Sequence, residues 1–350
     1  MLDIRLAEDA KSIADYKAVY EEVWRSGEPF GEGELDPGDG SLRYIAYQSG
    51  ERVASFKVHR YAVTAGSAVL CCAGVASVAV LPVHRGSKIG QELMRWAVPE
   101  MKAQGFEVAA LYAFRESFYE KFGYRTVGMR WKVKCPLDRF PKLECSLPVR
   151  RIDPSQLGLL YDCYSQFISN LDGANVRSPK DWQNRMGKRP PMIYAAGDPV
   201  EAYAWLTPSG EFWSDVILGE FCWSTRRGYE SLLAFAKTLC INQSALVWTE
   251  PTQGPFMSRF LDQGVGLELY RPAMYRVLDA PVVLEKLAPD CKLTEPFTLT
   301  DPLIEANNIV QVGSKFSMDI GELTQCIFAD PSQSQPQKVP QRPVFCTEFF

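Results

Sequence analysis

The sequence predicts an α/β chain made of two similar halves and a small closing unit, and three observations carry that reading. Apolar alternation and helical spacing succeed one another between Leu42 and Phe122 in the order strand, strand, strand, loop, helix, strand, helix. A Pro-punctuated segment, Cys135 to Pro154, then reads as a boundary. Beyond it, Phe221-Cys-Trp-Ser-Thr-Arg-Arg-Gly228 followed by Leu232-Leu233 echoes Val78-Ala-Val-Leu-Pro-Val-His-Arg-Gly86 followed by Leu93-Met94. The echo points to an internal duplication whose second copy lacks the loop glycine supplied by Gly90.

Taken in order, Ile13 to Val23 has its apolar positions at helical spacing. Gly27 to Gly40 is an acidic, Gly-rich loop with Glu28, Glu32, Glu34, Asp36 and Asp39. Leu42 to Gln48 and Arg52 to Val63 alternate as strands, and Val69 to Val80 reads as a buried strand. No charged residue occurs from Tyr61 to Val83, a stretch long enough to span a bilayer. Thr64-Ala-Gly-Ser67, Gly74, Ser77 and Pro82 break it, so a buried hairpin is expected instead. Gln91 to Ala103 is a helix with Leu93, Ala97 and Met101 on one face, kinked at Pro99 and ended by Gly105. Val108 to Phe114 follows as a strand, then Glu116 to Phe122 as a short helix stopped at Gly123. From Leu278 the chain is less apolar, with a turn-rich Ala329 to Arg342 and a hydrophobic end, Pro343 to Phe350.

Composition narrows the function. Of 350 residues, 46% are hydrophobic and 23% charged, which excludes disordered and collagen-like classes. A net charge of −4 gives no electrostatic case for nucleic acid. The first twenty residues lack an apolar signal-peptide core, so a cytoplasmic protein with no membrane partner is expected. The 10 Cys are scattered without a CxxC, signalling neither a disulfide framework nor zinc, and free thiols in a reducing compartment fit them. With only two His, metal sites and Ser-His-Asp chemistry are poor expectations, and no metal is expected.

The chemistry concentrates between Val78 and Tyr124. A buried strand ending in an Arg-Gly loop that opens a helix suits a phosphate, because helix-terminal N–H groups and the dipole both favour an anion. Downstream stands Phe118-Tyr119-Glu120-Lys121-Phe122-Gly123-Tyr124. Over roughly Leu2 to Lys134 these motifs resemble the GNAT (GCN5-related N-acetyltransferase) superfamily. The whole chain more specifically resembles the enhanced intracellular survival (Eis) family. That resemblance implies a GNAT acetyl-CoA-binding domain at 1–134, a degenerate GNAT-like domain without cofactor at 135–277, and a sterol-carrier-like domain at 278–350.

The resemblance further implies that the backbone of Val78, Ala79 and Val80 pairs with the pantetheine arm of acetyl-CoA. Arg85, Gly86, Ser87, Lys88, Ile89, Gly90 and Gln91 would cradle its pyrophosphate, and Phe114 and Arg115 would line the cleft. Lys88 stands where the family pattern has a glycine. If the site needs a positive φ, lysine is strained there by about 1 kcal/mol; its ammonium can also meet a phosphate. Tyr119 is the expected general acid, since a phenol with pKa near ~10 holds its proton at neutral pH and can protonate a departing thiolate. An amine of pKa near ~10 also needs a base. By resemblance this is the carboxylate of Phe350, whose pKa burial among Phe345 and Phe349 would raise.

Trp24, Glu28, Phe30 and Glu32 are the expected acceptor-binding residues, carboxylates offering charge and aromatic rings offering cation–π contact to a polycationic amine. The resemblance to the Eis family implies an N-acetyltransferase acting on an aminoglycoside-like or polyamine substrate. A protein lysine acetyltransferase and a catalytically silent CoA-binding or interaction protein are the alternatives. A homo-oligomer, trimer or hexamer, is implied by resemblance alone.

Overall fold

In the computed structural model, which describes residues 2–28, 40–187, 190–207, 214–241, 243–289, 295–328 and 342–348, one element order occurs twice, with one helix added in the second pass. The first pass is β1 (Asp3–Leu6), α1 (Ala10–Trp24), β2 (Leu42–Gln48), β3 (Glu51–Ala65), β4 (Ala68–Val80), α2 (Ile89–Ala103), β5 (Val108–Leu111), α3 (Glu116–Tyr119) and β6 (Arg125–Pro136). The second is β7 (Val149–Ile152), α4 (Tyr161–Ile168), α5 (Pro179–Met186), β8 (Met192–Ala196), β9 (Ala202–Thr207), β10 (Val216–Trp223), α6 (Arg226–Thr238), β11 (Ala245–Pro251), α7 (Pro255–Arg259) and β12 (Gly266–Val277). A closing part holds α8 (Ala280–Leu287), β13 (Phe297–Thr300), β14 (Ile309–Val310), β15 (Phe316–Asp319) and α9 (Ile320–Ile327).

Local chemistry explains the element ends. The Asp9 carboxylate accepts the N–H groups of Lys11 and Ser12, satisfying donors that would be orphaned at the start of α1. β3 and β4 pair from Ala65↔Ala68 onward, so the uncharged stretch is a hairpin turning at Gly66-Ser67. Among the described residues no helix is long and apolar enough to cross a membrane. α2 is one continuous helix with Pro99 inside it, and it buries Leu93, Met94, Ala97, Val98 and Met101. Each such large side chain contributes roughly 1.5–3 kcal/mol relative to exposure. They pack on Tyr44 and Phe56, whose rings stack 4.6 Å apart.

One sheet of twelve strands, in the order β1-β2-β3-β4-β5-β12-β6-β11-β10-β9-β8-β7, joins both passes. The seam is a reciprocal exchange. β6 pairs through Arg130–Pro136 with β11, inside the second pass. In return, Met274–Val277 of β12 pair with β5, inside the first. The two exchanged strands also pair with each other. The expected limit at residue 134 falls inside β6, and that at 277 falls at the end of β12. A separate sheet, β14-β13-β15, buries Phe297, Leu299 and Met318 with α8 and α9. Arg276 on β12 binds it in place: its Nη2 donates to both carboxylate oxygens of Asp301 at 2.8 Å, and its Nε to the carbonyl of Phe122 at 2.6 Å.

Candidate active site

The cleft begins where two parallel strands part. β4 and β5 pair only over Cys72–Val75 and Val108–Leu111, after which β4 continues to Val80 and β5 stops. β5 is therefore three residues shorter than expected, because Tyr112 leaves the sheet for a partner described below. A bulge on β4 accompanies the parting: Lys57 faces Ala76 but Ser55 faces Ala79, and Ser77 takes φ 52°. The expected pantetheine residues Val78, Ala79 and Val80 lie just past this bulge. Arg85 Nε donates to the Val80 carbonyl at 3.3 Å.

The loop from Leu81 to Lys88 opens α2. Gly86 has φ 83° and Lys88 φ 66°, both left-handed, so the glycine-requiring conformation is present at Lys88. No side chain caps α2. The N–H groups of Gly86, Ser87, Lys88, Ile89 and Gly90 have no hydrogen-bond partner among the described residues. Successive free donors in alternating left-handed geometry form an anion nest at a helix N-terminus, which fits a pyrophosphate. Arg85, Ser87 and Lys88 are exposed beside it, Ile89 is buried and Gln91 half-buried. At Gly90 an added Cβ would meet Phe118 Cζ at 3.5 Å and Val80 Cγ2 at 3.6 Å, so the loop, the end of β4 and α3 converge there.

Tyr119 stands next to this point. Its ring meets Phe118, Phe114 and Tyr124 at 5.0, 5.6 and 6.0 Å, all edge-on. Burial alone pushes its hydroxyl above the usual phenol range, which keeps it protonated at neutral pH. Phe114 is 72% exposed, an aromatic ring held open at the cleft, and Arg115 is exposed beside it. The Tyr124 hydroxyl is buried without a partner among the described residues.

Trp24 ends α1 and is 53% exposed, and Glu28 is exposed four residues on; no described contact joins either to Tyr119 or to the loop that opens α2. Phe30 and Glu32 lie outside the described residues, as do Phe349 and Phe350. The loop's last residue, Gly40, faces α5: a Cβ there would sit 3.6 Å from Lys180 Nζ.

The chain's last described stretch, Arg342–Glu348, threads between the two passes. Asp172 N–H donates to the Pro343 carbonyl, and Phe345 N–H to the Asp172 carbonyl. Tyr164 Oη lies 3.0 Å from Thr347 Oγ1, which accepts the Asn175 N–H at 2.9 Å. Tyr112, freed from β5, donates its hydroxyl to the Glu348 carbonyl at 2.5 Å. Arg177 and Arg185 grip the Glu348 carboxylate. Sequence reasoning missed Ser77, Tyr112, Arg177, Arg185, Glu220 and Glu348. Ser77 reads in the sequence only as a break in an apolar stretch and not as a bulge, and the others meet only through contacts between residues distant in the chain.

In the second pass the equivalent cleft is sealed. Only Ser224 and Thr225 separate β10 from α6, and Thr225 Oγ1 accepts the Gly228 N–H at 3.0 Å, so no nest forms. The Glu201 carboxylate takes Thr225 Oγ1 at 2.6 Å and Arg227 Nε at 2.7 Å. A Cβ at Gly228 would strike the Glu201 carbonyl at 2.6 Å, so α6 presses directly on backbone.

Residues 4–127 match the family model described as an acetyltransferase (GNAT) domain. No curated protein matches the chain by sequence. Among the solved structures that share its fold are the following three. A conserved protein of unknown function from Enterococcus faecalis V583, a probable N-acyltransferase, is 13% identical with a TM-score of 0.83, each chain covered in full. A GCN5-related N-acetyltransferase from Anabaena variabilis is 16% identical with a TM-score of 0.79, covering 94% of this chain and 90% of that one. Eis1 from Mycobacterium abscessus is 16% identical with a TM-score of 0.76, again over the full length of both.

Proposed function

We infer, from a chain whose residues 4–127 are a GNAT acetyltransferase domain within an Eis-like fold, that its first pass catalyses N-acetylation of a primary amine on a polycationic small molecule. The observation that carries this reading is the run of unpartnered N–H groups from Gly86 to Gly90, near a buried Tyr119 whose hydroxyl is kept in its neutral form by burial. In this proposal Gly86 to Gln91, with Arg85 and Lys88, hold the pyrophosphate. The parted edge of β4 at Val78 to Val80 aligns the pantetheine arm, and Phe114 and Arg115 flank it.

Acetyl-CoA, when bound, supplies an acyl group as a thioester open to amine attack. Tyr119 Oη gives a proton to the departing sulfur. The Phe350 carboxylate takes a proton from the amine, as the family resemblance implies; the anchoring of Glu348 two residues earlier supports this. Trp24, Glu28, Phe30 and Glu32 receive the cationic acceptor, supported by the exposure of Trp24 and Glu28. The division at 134 and 277, a sterol-carrier-like last part, a cytoplasmic homo-oligomer and free thiols complete the proposal. In support of the last, every described cysteine is free.

Titrating acetyl-CoA calorimetrically tests the core of this without a guess about the acceptor. Micromolar binding is the expected result. No binding up to millimolar concentration would overturn it, and adding one residue after Phe350 tests the base separately, since turnover should collapse.

A further inference from the structure

We propose that Arg177, Arg185 and Glu220 of the second pass are positioning residues for the acceptor side of the first, acting through Glu348. The inference rests on the acetyltransferase reading above. Arg177 Nε donates to Glu348 Oε1 and Arg185 Nη1 to Oε2, both at 2.8 Å, so both carboxylate oxygens are held and its plane is fixed. Arg177 also forks onto Glu220 at 2.9 and 2.6 Å, and Arg185 reaches Glu220 Oε2 at 2.6 Å. Two guanidinium groups thus share two carboxylates in a neutral cage, with the Arg177 side chain wholly buried.

The cage is preformed from behind. Tyr203 donates to Glu220 at 2.8 Å, and the Arg177 guanidinium lies 4.2 Å from the Tyr164 ring centre and 4.8 Å from that of Trp182. Arg185 lies over Trp205 at 4.8 Å. A buried ionic cluster is a poor way to gain stability, because apolar residues of equal volume do as well or better. It is a good way to fix a geometry.

What it fixes is a segment that needs fixing. Arg342–Glu348 contains no helix or strand, and its only ladder pairing among the described residues is one isolated bridge, Asp172↔Val344. Chain ends of that kind fray unless tied down. The segment is delivered to Tyr112, whose hydroxyl meets the Glu348 carbonyl. Tyr112 stands at the open end of β5, two residues before Phe114, whose ring contacts Tyr119. The path from cage to proposed acid therefore runs Arg177/Arg185, Glu348, Tyr112, Phe114, Tyr119. It also gives the second pass a role, since its own cleft is sealed while its β10 carries Glu220 and anchors the end of the chain.

The test uses the full chain and Glu348→Gln, which keeps size and removes charge, with Arg185→Lys, which keeps charge and removes the fork, as a second variant. Hydrogen exchange of peptides covering 342–348 and 108–118 should accelerate at least tenfold in Glu348→Gln and less in Arg185→Lys. Acetyl-CoA affinity should stay within twofold. With spermine as acceptor, kcat should fall at least tenfold while KM for acetyl-CoA stays within twofold. Faster exchange confined to 342–348, with native exchange at 108–118 and native kcat, makes the cage a structural staple and overturns the proposal. If the native chain acetylates neither spermine nor neomycin, the acceptor reading fails, and exchange at 108–118 still decides the cage.

Discussion

At Tyr119 the question is whether a buried phenol is acid or filler. Tyr119→Phe removes one oxygen and leaves the ring contacts to Phe114, Phe118 and Tyr124, so packing should survive. Steady-state turnover should fall about 100-fold, the usual range for losing a general acid, with calorimetric acetyl-CoA affinity unchanged; a parallel loss of affinity makes the residue structural. Lys88 poses the converse case. Its φ of 66° strains a lysine by about 1 kcal/mol, but glycine there raises the entropy of the unfolded chain by a similar amount. Lys88→Gly should leave the thermal midpoint nearly unmoved. If its ammonium meets phosphate, acetyl-CoA affinity should drop roughly fivefold, about 1 kcal/mol, with a flatter salt dependence; tighter binding would show that strain had dominated.

Glu250 yields a pH signature. It is 1% exposed, its Oε1 has no partner among the described residues, and burial pushes its carboxyl up to about 8 despite the hydrogen bonds that pull it down. The unfolded chain titrates this group near 4.5. Between the two values the folded state binds the extra proton, so the contribution to stability is intact below 4.5 and is lost as pH rises toward 8. Urea midpoints of the native chain and Glu250→Gln should diverge over that window, on the order of 1 kcal/mol per pH unit in favour of the variant. Parallel curves from pH 5 to 8 would refute the buried neutral acid.

Among elements, those with strong periodicity are legible from residues alone. Leu42–Gln48 matches its sequence pattern to the residue, and the Val69–Val80 strand and the helix ending at Ala103 match within a few positions. What escapes the pattern is set by distant contacts. Tyr112 and Phe114 belong to a β-rich run, yet they leave the sheet because Tyr112 bonds a carbonyl 236 positions later. The anion nest is legible because it is local, a glycine, a positive φ and a helix start within five residues. The cage is not, since Arg177, Glu220 and Glu348 share no spacing. Gly123 lies between these cases: its role as a stop is visible, but not that its surroundings leave no room. With φ 82° and a built Cβ 2.6 Å from Ile320 Cγ2, Gly123→Ala should lower stability by about 2–4 kcal/mol. Chemical denaturation measures it, and a loss under about 1 kcal/mol would mean that α9 shifts freely.

For the molecule as a whole, the exchanged strands decide cooperativity. A fragment of residues 1–134 lacks β12 and so exposes the edges of β5 and β6 that β12 covers. It should be insoluble or unfolded by circular dichroism. In scanning calorimetry the full chain should show both passes melting in one transition; two separated transitions would mean that the seam couples them weakly.

The exchange also sets a timetable for a chain made from its N-terminus. β5 and β6 emerge from the ribosome early, but the strand that lies between them ends at Val277. Synthesis at about 5–20 residues per second leaves the nascent first sheet gaping for on the order of ten seconds. The segment at Arg342–Glu348 appears later still, so the anion nest can be built on the ribosome well before the acceptor side is closed.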